Sequence, residues 1–337
     1  MDNKVRKMIN AAVIGVGNMG KHHARIYSEL KDVKLVAVCD INENVGKKIA
    51  NKFNCKFYKN YKKMLKNEDI DIVSIVVPTS LHKKISLDVV DYGKHILIEK
   101  PLAENVKNAE EIIKAAKEKN IKLMVGHIER FNPVVKKLKE ILQNKRLGKL
   151  ITIVIRRVGL FPPQIRDINV ILDLAVHDID ICNFLLNKKP SLVYANAGKA
   201  LVRTREDYSD IFLNYNGIDV FLQVNWITPV KIRSMVITGT KGYAELNYLT
   251  QELLIYKAEV KRPKEEKFED VVKFGKPEKI LINVEKKEPL KEEIKSFVSY
   301  VNGEKCPMAP QDALDVIKIA YAALESYKNG KVIKMNY

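Results

Sequence analysis

The stretch Ala11 to Gly20, reading AAVIGVGNMG, limits what this chain can fold into more than any other: an apolar run enters a GxGxxG turn and opens into a helical pattern. A buried strand is expected over Ile9 to Ile14 and a helix from about Met19 to Leu30. Each glycine has a separate task. Gly15 permits the tight turn, Gly17 removes a Cβ that would block a pyrophosphate, and Gly20 lets the helix lie close against the strand. Asn18 and Met19 present the free N–H groups of the helix start, whose positive end faces the phosphates.

A GxGxxG alone recurs by chance, so its context decides. Val33 to Cys39 (VKLVAVC) reads as a second buried strand, and Asp40 closes it about twenty residues after Gly20, where a carboxylate accepts both ribose hydroxyls. The expected ligand is a dinucleotide. Asp40, with no Arg beside it, favours NAD over NADP, a preference that Lys47 and Lys48 partly offset.

At 337 residues and 46% apolar content, the chain has room for two domains with well-filled cores. We place a Rossmann domain at 1–127 and a substrate-binding and oligomerisation domain at 128–337. No apolar run approaches a membrane span, and the first strand begins too early to leave room for a signal peptide, so a cytoplasmic protein is expected. Cys39, Cys55, Cys182 and Cys306 lack metal-ligand spacing and suit free thiols in a reducing compartment; no metal is expected. The net charge of +18 raises the possibility of nucleic acid. The lysines, however, are interleaved with Glu on helical faces, as over 114–119 and 136–140, and no recognition motif accompanies them. The charge reads as a solvated surface that steers anionic ligands, with neither nucleic acid nor membrane as partner.

The remainder of the first domain alternates apolar runs with amphipathic helices, the pattern of a parallel sheet covered on both faces. Strands are expected at 56–58, 71–77, 95–98 and 122–125, and helices at 44–53, 61–66, 80–92 and 106–119. Pro78, Thr79 and His82 follow one strand, and Glu99-Lys100-Pro101 follows another, on the edge where such sheets bind ligands. Pro78, Thr79, His82, Glu99 and Lys100 are read as cofactor contacts, and Pro101 as fixing the turn that aims Lys100. After a linking helix at 130–144 the strands lengthen and alternate: 150–158, 192–198, 209–215, 220–226, 234–239, 242–248, 252–256 and 280–284. The fold class is therefore α/β, a doubly wound parallel sheet followed by an α+β domain with a large open, mainly antiparallel sheet. The helical run 170–186 interrupts this second sheet, the charged segment 261–276 reads as an exposed excursion, and helices at 290–300 and 311–328 close the chain, the last packing back over the domain junction.

Asp173 and His177, four residues apart, fall about one turn apart on one face of the apolar 170–186 helix and suggest acid–base work, or a plain stabilising contact. Arg130, Arg156 and Arg157 are candidate partners for a diphosphate or uronate, since guanidinium matches such oxyanions with paired donors, with interdomain ion pairs as the alternative; Arg166 is a candidate substrate contact in the Pro-bearing loop 160–169, which is read as a cover over the substrate. Trp226 and Tyr208 read as core or interface residues. An open sheet face suggests subunits pairing sheet to sheet as a homodimer or homotetramer.

In order, AVIGVGNMGKHHA (12–24), VAVCD (36–40), VVPTSLH (76–82), EKP (99–101), GHIERFNP (126–133) and DLAVHDID (173–180) resemble the glucose–fructose oxidoreductase, inositol dehydrogenase and rhizopine catabolism family, Gfo/Idh/MocA, over essentially the whole chain. The resemblance implies a tightly bound nicotinamide cofactor, a catalytic Lys100 preceding a cis bond to Pro101, and an acid–base pair in Asp173 and His177. It also suggests the branch acting on UDP-N-acetylglucosamine or its 6-uronate, which oxidises C3 to a ketone. The chain departs from the family where many members have two glycines: it has Asn169-Val170, and Ala175 in place of a common glycine, which bears on substrate rather than chemistry. Kept alongside are a dehydrogenase for inositol or a free sugar, and a non-catalytic NAD-bound regulator.

Overall fold

The computed structural model describes residues 8–162, 167–258, 260–261 and 273–337, which form two compact units. The first comprises the described residues of 8–128, 167–168 and 288–318, and the second those of 129–162, 169–287 and 319–337.

The first unit opens with β1 (Ile9–Ile14), α1 (Gly20–Glu29), β2 (Val33–Cys39), α2 (Glu43–Phe53), β3 (Lys56–Tyr58) and α3 (Tyr61–Asn67). It continues with β4 (Ile72–Ile75), a 3-10 turn (Thr79–Leu81), α4 (His82–Asp91), β5 (His95–Glu99), α5 (Val106–Glu118) and β6 (Leu123–Gly126). All six strands are parallel, in the order β3-β2-β1-β4-β5-β6. Helices cover both faces, so the central strands are mostly apolar, with Ser74 the buried polar exception in β4; Ile72 to Ile75 and Leu123 to Gly126 are wholly buried. Asparagine sets most helix starts here. Asn42, Asn60 and Asn105 each accept backbone N–H groups of the first turn of α2, α3 and α5.

The second unit carries a 3-10 turn (Ile128–Phe131, shared with the first at Ile128), α6 (Pro133–Gln143), β7 (Leu150–Leu160), a π-helical turn (Ile171–Ala175), α7 (Val176–Leu186), β8 (Leu192–Gly198) and β9 (Tyr208–Asn214). There follow β10 (Asp219–Asn225), β11 (Ile227–Gly239), β12 (Gly242–Asn247), β13 (Glu252–Lys257), β14 (Val260–Lys261), β15 (Lys273–Phe274) and β16 (Glu278–Ile282). Nine strands make one sheet, β16-β13-β12-β11-β7-β10-β9-β8-β17, where β17 (Ile333–Lys334) is a short edge strand that sequence periodicity did not reveal. The sheet is antiparallel except where β10 runs parallel to β7. Alternation makes one face buried and the other open: Ile153, Ile155 and Arg157 of β7 are buried while Val154 and Arg156 are exposed.

Two expectations change. The segment 288–318, given to the second domain on sequence, belongs to the first unit, where α8 (Pro289–Val301) packs on α1 and Lys291 and Glu288 pair with Glu29 and Arg25. The last helix, α9 (Pro310–Asn329), has residues 310–318 in the first unit and 319–329 in the second. The linking helix at 130–144 begins only at Pro133, after the 3-10 turn, with Asn132 as its cap. Most of the charged excursion at 261–276 lies outside the described residues. Among those described, no helix is long and apolar enough to cross a membrane.

Candidate functional site

In the first unit, β1 turns at Gly15, whose φ of +84° is a backbone conformation suited to glycine. A Cβ on Gly20 would lie 1.8 Å from the Gly15 carbonyl oxygen, so only glycine lets α1 start this close to the turn. A Cβ on Gly17 would meet nothing within 4 Å, so its bareness opens space rather than closing a contact. At Met19 no side chain caps α1 and no acidic residue occupies the first turn, which leaves the positive helix end for an anion. Asp40 stands beside it. Its Oδ2 accepts from Val16 N at 2.9 Å and its Oδ1 from Asn42 N at 2.8 Å, and each oxygen keeps a lone pair for a further donor.

Gly15, Gly17, Asp40, Ile41, Tyr61 and Pro78 are among the walls of a cavity of about 350 Å³ at the carboxyl ends of β1, β2 and β4. That is the switch point of strand order, where such sheets hold dinucleotides. The fit is good: an open cradle at Gly17, an uncapped helix start and a carboxylate at ribose distance along the chain. Lys59 and Lys84 also line the cavity, a feature the sequence reading missed because both lie far from the motif; Lys59 bonds Glu43 at 3.1 Å, and so does Lys47.

Past β4 lies His82, expected from sequence as a cofactor contact. The ring is buried, its Nδ1 2.9 Å from Pro101 O and its Nε2 2.9 Å from Val77 O. The neutral ring has one N–H, so it donates to one of these carbonyls at a time, on the chain after β4 or on the chain after β5. Burial pulls its pKa below the ordinary value against the opposing pull of the two carbonyls. Thr79 is buried beside it, at the start of the 3-10 turn. The Lys100–Pro101 peptide is cis.

A buried chain of side chains supports Glu99. Tyr27 OH lies 2.8 Å from Ser74 Oγ, which lies 3.0 Å from His23 Nδ1, and His23 Nε2 is 3.1 Å from Glu99 Oε1. Glu99 Oε2 in turn accepts the Lys100 N–H at 3.2 Å. Burial pushes the Glu99 carboxyl up, but His23 and Lys100 outweigh it and hold it below its usual value. His23 lies inside the glycine-turn motif, and its place with Gly20, Ala24 and Tyr27 on the buried face of α1 is the sequence signal of its role.

In the second unit the helical run of DLAVHDID is not uniform. Val176 N bonds Ile171 O five residues back, so Asp173 sits on a π-turn and His177 on the α-helix after it. The wider turn means that spacing of four does not stack the two as an α-helix would. Asn169 caps this turn by accepting from Leu172 N at 3.1 Å, which accounts for asparagine where a glycine is common. Trp226 Nε1 donates to Asp173 Oδ2 at 3.2 Å and fixes the carboxylate. Asp173 is on the wall of a cavity of about 400 Å³ whose other walls include Gly159, Trp226, Pro229, Lys231 and Arg233. His177, half-buried, is not one of those wall residues.

The arginines expected to bind substrate prove mostly structural. Arg130 is buried and grips Asp180 through two bonds, Nε to Oδ2 at 2.8 Å and Nη2 to Oδ1 at 2.6 Å. Arg157 is buried between Asp178, 2.9 Å from Nε, and Glu129, 2.9 Å from Nη1. Burial opposes its charge, but the two carboxylates keep its pKa above the ordinary arginine value. Ion pairs so buried cost about 3–5 kcal/mol to break by removing one partner, which is why these cations are committed to the fold. Arg156 lies on the open face of the sheet, where its Nε donates to Gln223 at 3.3 Å. Arg166 lies outside the described residues.

A doubly wound sheet with an anion-ready glycine turn defines a dinucleotide-binding fold. Residues 9–127 match the oxidoreductase family with an NAD-binding Rossmann fold, and residues 135–245 match the GFO/IDH/MocA C-terminal domain. The chain is 30% identical to UDP-N-acetylglucosamine 3-dehydrogenase of Acidithiobacillus ferrooxidans over 249 residues, 74% of this chain and 77% of that protein. It is 28% identical to inositol 2-dehydrogenase of Salmonella typhimurium over 249 residues, 71% of this chain and 74% of that protein. The solved structure of the A. ferrooxidans enzyme, GnnA, superposes with a TM-score of 0.82 at 25% identity, covering 95% of this chain and 98% of that one. The chain belongs to the Gfo/Idh/MocA family of NAD-binding oxidoreductases.

The two glycines give a separable test. Gly20→Ala should lower stability in denaturant unfolding by about 1–3 kcal/mol, the cost of overpacking. Gly17→Ala should leave stability within about 0.5 kcal/mol while weakening NAD at least about tenfold. Unchanged NAD affinity in Gly17→Ala contradicts the cradle.

Proposed function

We propose that this protein oxidises the C3 hydroxyl of UDP-N-acetylglucosamine, or of its 6-uronate, to the 3-keto sugar, with Lys100, Asp173 and His177 carrying the chemistry. The substrate rests chiefly on the likeness to UDP-N-acetylglucosamine 3-dehydrogenase over about three quarters of both chains. The likeness to inositol dehydrogenases at nearly the same identity favours a polyol as the second reading.

His177 takes the hydroxyl proton, and the Lys100 ammonium stabilises the negative charge that develops on the oxygen. Asp173, held by Trp226, orients the reacting hydroxyl. Asp40 receives the ribose hydroxyls with its remaining lone pairs, and the N–H groups around Asn18 and Met19 receive the pyrophosphate. When bound, NAD supplies the hydride acceptor. Glu99, fixed by His23, positions the turn that carries Lys100.

The open face of the nine-stranded sheet is proposed to pair two copies of the chain. Leu281, Leu254, Glu245, Val236, Val154, Phe221, Phe212 and Tyr194 stand in register in one row across eight strands. Leu281, Phe221 and Tyr194 are 67%, 45% and 42% exposed, a large apolar stripe for a lone protein to show to water.

Lys100→Met and His177→Ala should each lower kcat by about 10²–10⁴-fold in stopped-flow assays of nicotinamide absorbance, with NAD affinity unchanged; wild-type turnover in either contradicts the roles. Light scattering should find a dimer or tetramer that Phe221→Glu dissociates, and a monomeric wild type would remove the sheet-to-sheet proposal.

A further inference from the structure

The cavity beside Asp173 contains cations that the buried ion-pair network does not use. Arg233 donates through Nη1 to the carbonyls of Val158, at 2.5 Å, and of Ile232, at 2.8 Å. Among the described residues no carboxylate lies within ion-pair distance of it, and its Nε and Nη2 make no hydrogen bond there. Its neighbour on the next strand is Arg157, whose charge is already met by Asp178 and Glu129. Burial first, and the like charge of Arg157 second, pull the Arg233 pKa down to about 10. A guanidinium in that position is stabilised by an incoming oxyanion.

The backbone is shaped to leave it exposed to the cavity. Between the pairs Ile227–Leu160 and Ile232–Val158, β11 bulges over residues 228–231, and the residue opposite is Gly159. A Cβ on Gly159 would lie 3.8 Å from Arg233 Nη1 and 3.7 Å from Lys231 Cα, so any longer side chain there would enter the space before the two cations. Lys231, exposed, rides on the bulge and lines the same cavity. Bulges commonly re-aim a side chain in this way. The cavity thus offers one carboxylate, fixed by Trp226, and two cations.

We infer that Arg233, assisted by Lys231, is the specificity-determining residue that holds an oxyanion of the substrate in the Asp173 cavity, and that neutral polyols are poor ligands of this site. The inference rests on the proposed reading in taking that cavity as the sugar site. A sugar hydroxyl bonds Asp173, and a uronate carboxylate or a diphosphate takes the free side of the guanidinium through paired N–H donors. A neutral polyol would leave that guanidinium desolvated without a partner, which is unfavourable.

The test is calorimetric binding to the NADH-loaded enzyme, whose reduced cofactor cannot oxidise them, of four probes: UDP-N-acetylglucosamine, its 6-uronate, UDP, and myo-inositol. The anionic sugars should bind at least about 100-fold more tightly than myo-inositol, and Arg233→Gln should weaken the uronate about 100-fold while changing inositol less than about threefold. Arg233→Lys should restore part of the loss, since it keeps charge without the fork. If the carboxylate is the group held, Arg233→Gln abolishes the preference for the uronate over its parent; if the diphosphate is, UDP and both sugars lose equally. Lys231→Gln, at an exposed position, should cost about tenfold and serves if Arg233→Gln does not fold. Anionic binding within threefold of wild type in these variants, or equal loss of anionic and neutral probes, overturns the inference. Binding is read without turnover, so an enzyme that binds these anions through Arg233 yet oxidises neither UDP-sugar would contradict the proposed reaction and not the anion site.

Discussion

Everything in the first unit depends on how near α1 can begin to the end of β1. A single missing Cβ at Gly20 sets that distance, because the Gly15 carbonyl occupies the space. With the helix start so placed, its unpaired N–H groups and positive end face the cavity at the sheet's switch point, and Asp40 reaches the same cavity from the end of β2. The strand order β3-β2-β1-β4-β5-β6 then brings Pro78 and the Glu99-Lys100-Pro101 turn to the same edge. His82 lies between the two segments, with a carbonyl of each 2.9 Å from a ring nitrogen.

In the second unit the governing constraint is burial of charge. The motifs GHIERFNP and DLAVHDID, far apart in sequence, interlock: Arg130 grips Asp180, and Glu129 shares Arg157 with Asp178. Four of the charged residues in those motifs therefore hold the fold. Asp173 is placed differently, on the π-turn and against Trp226, at the wall of a cavity. A π-turn strains the regular helix hydrogen-bond ladder and often marks a working site. Here it re-aims one carboxylate of a helix whose other acids are occupied in ion pairs.

Much of this was legible from sequence because it obeys local rules. Period-two and period-3.6 patterns located the first-unit strands and most helices to within a few residues, and β1, β2, β3 and β8 fell on the expected bounds. What was not legible depends on partners distant in the chain. Arg130 and Arg157 look like oxyanion ligands until their carboxylates are seen, while Arg233 was overlooked because β11 was expected to begin at 234 and in fact begins at Ile227. The surroundings of His82 were hidden for the same reason, since only the fold brings Pro101 to its ring. The π-turn has no periodicity of its own and hides within an apolar helical run.

The most direct test of the account is oxidation of UDP-N-acetylglucosamine, or its 6-uronate, carrying deuterium at C3. The account predicts a 3-keto sugar without the label, reduced nicotinamide that carries it, and a primary isotope effect on the single-turnover rate. Reduced nicotinamide without label, or a carbonyl formed at another carbon, would contradict it.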